Sequence, residues 1–371
     1  MGSTGPCSIM NYGTRPEDMI ITDEMLDAAF RFRSVCLWDK LSDSDVFAFR
    51  LSDGETGYCC VMGNAGDNFS LGFYRGRRGF STYLKTLNLG WLQTSVYDMF
   101  ETMLTFDCIN CDFVPASALD NATKKTIRKY ADDAGLKIAR SHGWPSFNRF
   151  QPYKMQYDIT SEREARDITE ALHAAIAVNG KLMAHRPESI GFDKKGNYPT
   201  PKGGKAVPYL IPAAGGTYGW STVKLPALVQ DKHAAVKFEN DILTSMVKSL
   251  PVYGVLQIRL IHMPTPINGK EDGSPYFPLI LMCMEADSEF LYPPVLGEKD
   301  AEENPVPILA HLAEIFRKRA KRPQRIQVED TKTMAFLKDF CDKCGIVLTR
   351  EQDLSALDDA LVSLFEEFGG F

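Results

Sequence analysis

What this sequence lacks narrows its reading before any motif is considered. No apolar run approaches the ~18 residues that a membrane-spanning helix requires, so no membrane partner is expected. Met1 to Met10 has no basic stretch followed by an apolar one, the pattern of a secretory leader. Gly2 follows Met1, but Pro6 stands where an N-myristoylation signal wants Ser or Thr. No charge sign dominates: 42 Lys+Arg against 48 Asp+Glu leave −6 on 371 residues. That excludes a generally basic nucleic-acid coat and leaves room only for a local basic patch. His142, His173, His185, His233, His262 and His311 stand singly, without the His-Glu-x-x-His spacing of a metalloprotease. There is no Gly-x-Ser-x-Gly nucleophile elbow and no Walker loop.

What is present is ordinary globular composition, 44% apolar and 24% charged, with enough length for about two domains. Such a chain can bury a core without covalent staples. The nine cysteines are an odd number and are scattered, which suits reduced thiols and a cytoplasmic location better than a disulfide framework.

Residues 1–20 read as a polar tail. Thr22 then caps a helix whose apolar face runs through Met25, Ala28, Ala29, Phe32 and Cys36. Strands are expected at 46–51, 58–62 and 69–74, with a turn at Asp53-Gly54, and helices at 80–88 and 94–103. A strand–helix–strand unit follows: Asp112–Val114, a helix from Asp120 to Gly135, then Leu136–Ile138. Ser161 and Glu164 have the spacing of a capping box for a helix that Gly180 should stop. Residues 181–230, rich in Gly and Pro, read as an irregular linker with short β-like pieces at 207–211 and 221–225. From Asp231 the order of elements repeats: helix 231–249, strands at 255–260, 276–285 and 288–292, helix 306–320, strand 325–328, a helix ending at Gly345, strand 346–348, helix 354–367. The expected domains are therefore 21–180 and 231–371, joined by 181–230.

Two stretches suggest internal duplication. Residues 46–51 (VFAFRL) resemble 255–260 (VLQIRL), and Asp120–Arg140 aligns with Asp330–Arg350 at nearly the same offset. In the second pair Asp120/Asp330, Thr123/Thr333, Asp132/Asp342, Gly135/Gly345 and Arg140/Arg350 are identical. The fold expected is α+β: two similar units, each an antiparallel meander plus a strand–helix–strand piece.

The chemistry-bearing residues are weaker signals. Cys108/Cys111 and Cys341/Cys344 form two Cys-x-x-Cys pairs that together resemble a four-thiolate zinc set. Cys341 and Cys344 also fill the apolar stripe that Ala131 and Ala134 fill in the aligned helix, which favours core packing and no cofactor. Gly76-Arg77-Arg78-Gly79, beside Arg75, reads as a solvated hairpin tip or an anion-binding turn. Glu285 with Asp287 and Glu329 with Asp330 fall at strand ends, where Mg²⁺ and ligands sit in open α/β sheets. The alternative for Asp330 is a helix cap, like Asp120. Arg317, Lys318, Arg319, Lys321, Arg322 and Arg325 form the densest basic run, a phosphate-contacting patch or simply cations at a helix C-terminus. It has no interleaved aromatic to stack bases.

The stretch Leu37-Trp38-Asp39-Lys40-Leu41, the strand 46–51, Gly57–Gly63, and 321–326 through Ser355–Asp358 resemble an uncharacterised bacterial family that pairs two domains of unknown function. A SecA-like zinc motif found in some members is absent. The resemblance implies architecture and a bacterial cytoplasm, and no activity. The reading is thus a non-enzymatic binding or interaction module for an unknown protein or small molecule. Its site is expected in 181–230, with Tyr218 and Trp220 as aromatics (Tyr198 and Tyr209 nearby) and Lys202 and Lys205, with Lys194 and Lys195, to meet an acidic partner. The alternatives are nucleic-acid association through 317–325 and a metal-dependent hydrolase using Glu285, Asp287, Glu329 and Asp330.

Overall fold

The structure, a computed structural model, describes residues 18–89, 95–193, 195–270, 275–352 and 354–368. Most of the expected polar tail (1–17), and Lys194, lie outside the described residues. The chain divides into two units: 1–93 with 104–229, and 94–103 with 230–371. Both mix helices and strands.

In the first unit, six strands form a continuous antiparallel meander: β1 (Phe47–Arg50), β2 (Thr56–Met62), β3 (Ser70–Arg75), β4 (Cys108–Val114), β5 (Trp144–Phe150) and β6 (Tyr157–Asp158). The helices are α1 (Asp23–Val35), α2 (Gly76–Leu89), α4 (Asn121–Asp133) and α5 (Glu162–Leu182); α3 (Val96–Met103) belongs to the second unit. Side chains alternate across the sheet, so β2 feeds two cores. Cys59 and Val61 pack with residues of α1 and α5, while Tyr58 and Cys60 pack with Phe80, Tyr83 and Leu84 of α2.

The segment 181–230, expected to be an irregular linker, is instead part of this sheet. β7 (Ala206–Pro212) pairs parallel with β1, and β8 (Tyr218–Lys224) pairs antiparallel with β7. The strand order is β6-β5-β4-β3-β2-β1-β7-β8. The prolines and glycines that read as irregularity are placed as a hairpin uses them, with Gly215 and Gly216 at positive φ in the turn.

Three local expectations also change. Residues 136–138 form no strand, because β5 takes the place beside β4. Ser161 is the N-cap of α5 but makes no side-chain cap bond, and Glu164 pairs instead with the Arg149 guanidinium, Nε to Oε1 at 2.8 Å. Helix α5 runs through Gly180 to Leu182.

The second unit holds a five-stranded mixed sheet with order β13-β12-β9-β14-β15. These strands are β9 (Val252–His262), β12 (Leu279–Glu285), β13 (Val295–Leu296), β14 (Arg322–Val328) and β15 (Val347–Arg350). The short β10 (Ile267–Asn268) and β11 (Pro275–Tyr276) form a separate ribbon. Helices α6 (Asp241–Ser249), α7 (Val306–Lys318) and α8 (Thr331–Cys344) share a core with the sheet, built from residues such as Leu260, Leu281, Leu312, Ile326 and Phe340. α9 (Ser355–Phe368) packs with α3, through rings such as Phe100 and Phe365 at 5.6 Å. The helix expected at 231–249 begins only at Asp241, where the Asn240 side chain caps it. Residues 288–292 contribute an isolated bridge, Met284 to Leu291, and no strand.

The duplication is not confirmed. Asp120 and Asp330 are both helix N-caps, and Gly135 and Gly345 follow the two helices at φ +67° and +66°. Beyond those ends the parallel breaks down. β14, which feeds α8, lies parallel and adjacent to β9, whereas β4, which precedes α4, is antiparallel to its neighbours and separated from β1 by two strands.

Candidate functional site

The β7–β8 hairpin ends the first sheet with β8 as its outer strand. The pairing parity follows from its ends. Ala213 N–H donates to Thr217 O at 2.9 Å, and Leu225 N–H to Lys205 O at 2.8 Å. In an antiparallel ladder, hydrogen-bonded and non-hydrogen-bonded pairs alternate. With Ala206 opposite Lys224, the bonded pairs are Val207/Val223, Tyr209/Ser221 and Ile211/Gly219. The intervening pairs place Pro208 opposite Thr222 and Pro212 opposite Tyr218, where the missing proline N–H removes no bond to β8. The backbone N–H and C=O groups of Tyr218, Trp220, Thr222 and Lys224 therefore point away from β7, and none has a partner among the described residues.

The expected site residues lie here but do not converge. Tyr218 and Trp220 are half-buried and pack on the core shared by α1 and α5, with the Lys181 ammonium 5.5 Å from the Trp220 ring. Burial pushes the Tyr218 hydroxyl pKa up. Lys202 is exposed. Lys205 is turned inward: its Nζ donates to Asn197 O and, at 3.4 Å, to Ser44 O, so it does not reach out to an acidic partner. Tyr198 donates to Asp43 at 2.8 Å, and Tyr209 packs beside the α2 core. The aromatics thus seat the hairpin, and the feature that sequence reasoning missed is the open strand edge itself. The Gly215-Gly216 turn between two β-like pieces was the available signal.

The basic run is dispersed among partners. Arg317 pairs with Glu314 at 2.7 Å. Arg322 donates to Gly345 O at 2.7 Å, a cation at the C-terminus of α8. Lys318 ends α7, and Arg325 is exposed on β14. Arg319 and Lys321 both turn to Glu285, at 3.1 and 3.7 Å. Aromatics absent from the run itself are supplied by the fold: Arg319 lies 4.7 Å from the Tyr292 ring and 5.3 Å from that of Phe290, and Lys321 lies 4.0 Å from that of Tyr253. Phe290 is 51% exposed.

The four carboxylates of the hydrolase alternative do not meet. β12 is antiparallel to β9 and β14 is parallel to it, so Glu285 and Glu329 end strands that run in opposite directions. Burial would raise the Glu285 pKa, but hydrogen bonds from Tyr292 and Ser288 and the two cations hold it below its ordinary value. Asp330 is spent on its helix cap, accepting from Thr333 N–H at 2.7 Å. Glu329 binds Arg259 at 2.5 Å. Among the described residues no group of three His, Cys, Asp or Glu side chains is arranged to hold a metal ion.

Two charge clusters lie between elements of the second unit. Arg259 of β9, itself buried, reaches Asp98 of α3 at 2.9 Å, Glu329, and Asp358 of α9 at 3.0 Å, and its guanidinium sits 4.4 Å from the Tyr97 ring. His262 is fully buried between two carboxylates, with Nδ1 2.9 Å from Glu101 and Nε2 3.0 Å from Glu302; Lys332 lies 2.8 Å from Glu302. Burial would discharge the imidazole, but Glu101 and Glu302 outweigh it and raise its pKa. Glu101 is held down to about 2, its burial outweighed by His262 and Lys332. These ions satisfy one another and fasten α3 and α9 to the sheet.

Cys341 and Cys344 are buried in the second core as expected; burial pushes the Cys344 thiol up to about 12 and the Cys341 thiol higher. Cys108 and Cys111 are also buried, in β4. Gly76 and its arginines form the first turn of α2 and no hairpin tip. A Cβ at Gly76 would lie 3.2 Å from the Glu55 carboxylate, so the chain's own anion stands at that turn. Arg75 pairs with Asp53 and, at 2.7 Å, with Asp167. No described helix is long and apolar enough to cross a membrane.

No curated protein matches the chain. Among solved structures, a match with probability 1.00 is to a chain of the simian T-cell lymphotropic virus intasome in complex with PP2A regulatory subunit B56 gamma. It has 12% identity and a TM-score of 0.22, and covers 33% of this chain and 43% of that one. Residues 23–198 match the domain of unknown function DUF7309, and residues 243–365 match the domain of unknown function DUF6930. The chain is therefore a protein that pairs these two domains of unknown function, DUF7309 followed by DUF6930.

Proposed function

We propose that this protein is a cytoplasmic, non-enzymatic interaction module that captures an extended partner strand on the free edge of β8. One observation carries the reading: the row of outward backbone donors and acceptors at Tyr218, Trp220, Thr222 and Lys224. Main-chain groups of this kind give strand addition its affinity. Natural sheets usually blunt such an edge with proline, a bulge or shortness. β8 has seven residues, no proline, and one charge, at its last position.

A photo-crosslinking amino acid in place of Lys224 tests this in cells. The reading expects a covalent adduct with a second polypeptide, lost when Thr222→Pro is added. An adduct unchanged by Thr222→Pro, or none at all, contradicts it.

A second reading has its own observation, the aromatics gathered beside Arg319 and Lys321. Cations interleaved with rings are the chemistry of single-strand nucleic-acid grooves. It expects salt-dependent binding of a labelled oligonucleotide, weakened by Phe290→Ala and by Arg325→Ala. Binding that is absent at low salt contradicts it.

A further inference from the structure

We infer that the strand seated on β8 is β8 of a second copy of this chain, paired antiparallel about a two-fold axis through Ser221. The inference rests on the strand-addition reading and names its partner.

The edges available as partners differ in length. The other described sheet edges are β6, β10, β11 and β13, with two residues each, and β15, with four. None of these spans the outward groups of the seven-residue β8; β8 itself does. An isologous contact also closes after two copies, whereas pairing β8 with a different edge would need a larger ring to close or would propagate.

The register of self-pairing also fits the strand. A two-fold at Ser221 sets Trp220 opposite Thr222 of the second copy and Tyr218 opposite Lys224. These are the residues whose N–H and C=O groups face outward, so every outward donor meets an acceptor. Ser221 faces its own copy at the axis in a non-hydrogen-bonded pair, where side chains come closest and a small one fits. The only charge in the strand, Lys224, falls opposite the Tyr218 ring and never opposite its like. The axis stands perpendicular to the sheet, so the faces covered by α1 and α5 stay on the same side in both copies. The side chains of Tyr218 and Trp220, which already pack on that face, are not displaced.

The test uses the full chain. Sedimentation across a wide concentration range should show the mass doubling. Thr222→Pro removes only an outward N–H, so it should stay monomeric while keeping the wild-type circular dichroism. Ser221→Cys adds a register-specific readout. The Cα separation of a non-hydrogen-bonded pair, about 4.5 Å, lies within disulfide reach. Mild oxidation should therefore cross-link Ser221→Cys into a dimer, leave Val223→Cys monomeric, and fail when Thr222→Pro is combined with Ser221→Cys. A protein that is monomeric throughout, with Ser221→Cys not cross-linking, overturns the inference. If the Lys224 photo-adduct then contains a different polypeptide, strand addition stands and the second copy does not. If there is no adduct, both fall.

Discussion

The two units end their sheets and place their charges in different ways. The first builds apolar cores on both faces of a long sheet and ends it in a seven-residue strand with open backbone groups. The second ends in strands of two and four residues, and sets Arg259 and His262 among carboxylates from α3, α9 and neighbouring loops. The second unit pairs these buried charges among its own described elements. In the first, the hairpin leaves outward backbone groups with no partner among the described residues, and unpaired strand edges are where other chains attach. The contrast is between an open strand edge in the first unit and ion-paired bracing in the second, and the proposed strand capture rests on the former.

The largest effect expected from breaking this contrast is at Arg259. Arg259→Met leaves Asp98, Glu329 and Asp358 facing one another and should destabilise the second unit by about 3–5 kcal/mol, the range for removing one partner of a buried ion cluster. Urea unfolding followed by hydrogen exchange in β9 checks it. An effect below 1 kcal/mol would mean that the cluster is solvated and braces nothing.

Next comes a paired test on β8. Ser221→Pro removes an N–H bonded to Tyr209 and should cost about 1–3 kcal/mol. Thr222→Pro, one residue on, should stay within about 0.5 kcal/mol of the wild type. Equal losses at both positions would refute the assigned parity.

Helix caps give a smaller and more even effect. Asp120→Ala and Asp330→Ala should each lose about 1 kcal/mol, since both carboxylates accept from first-turn N–H groups. A large difference between them would show that the resemblance of α4 and α8 fails even at their starts.

The last effect is a pH dependence of the second unit, read at β9. The folded His262 pKa is raised, so its stabilisation is complete below the unfolded value of 6.5 and is lost as pH rises through the folded one. Glu101 and Glu302 are lowered, so theirs is present above 4.5 and is lost as pH falls, for Glu101 toward about 2. Exchange protection of β9 should therefore be greatest between 4.5 and 6.5 and fall on the alkaline side. His262→Gln should flatten that alkaline decline. A decline unchanged in His262→Gln would place its origin elsewhere.

Features set by near neighbours were readable from the chain. The Thr22, Asp120 and Asp330 caps, the left-handed Gly345 and the apolar stripe holding Cys341 and Cys344 all formed where the pattern put them. Features set by distant partners were not. Glu164 has capping-box spacing, yet Arg149 takes it. His262 meets Glu101 across 161 residues. Arg319 and Lys321 gain their aromatic neighbours from residues 253, 290 and 292. Tyr218 and Trp220 drew attention as aromatics, but what distinguishes β8 is that no described strand pairs with its outer edge, which no residue type encodes.

Amide hydrogen exchange along β8, read residue by residue at low and high protein concentration, bears most directly on the central claim. Gly219, Ser221 and Val223 should be protected at both concentrations, because their N–H groups face β7. Trp220, Thr222 and Lys224 should exchange rapidly in dilute protein and become protected as concentration rises. Protection of all six at every dilution, or rapid exchange of the outward three at every concentration, would contradict a self-pairing edge.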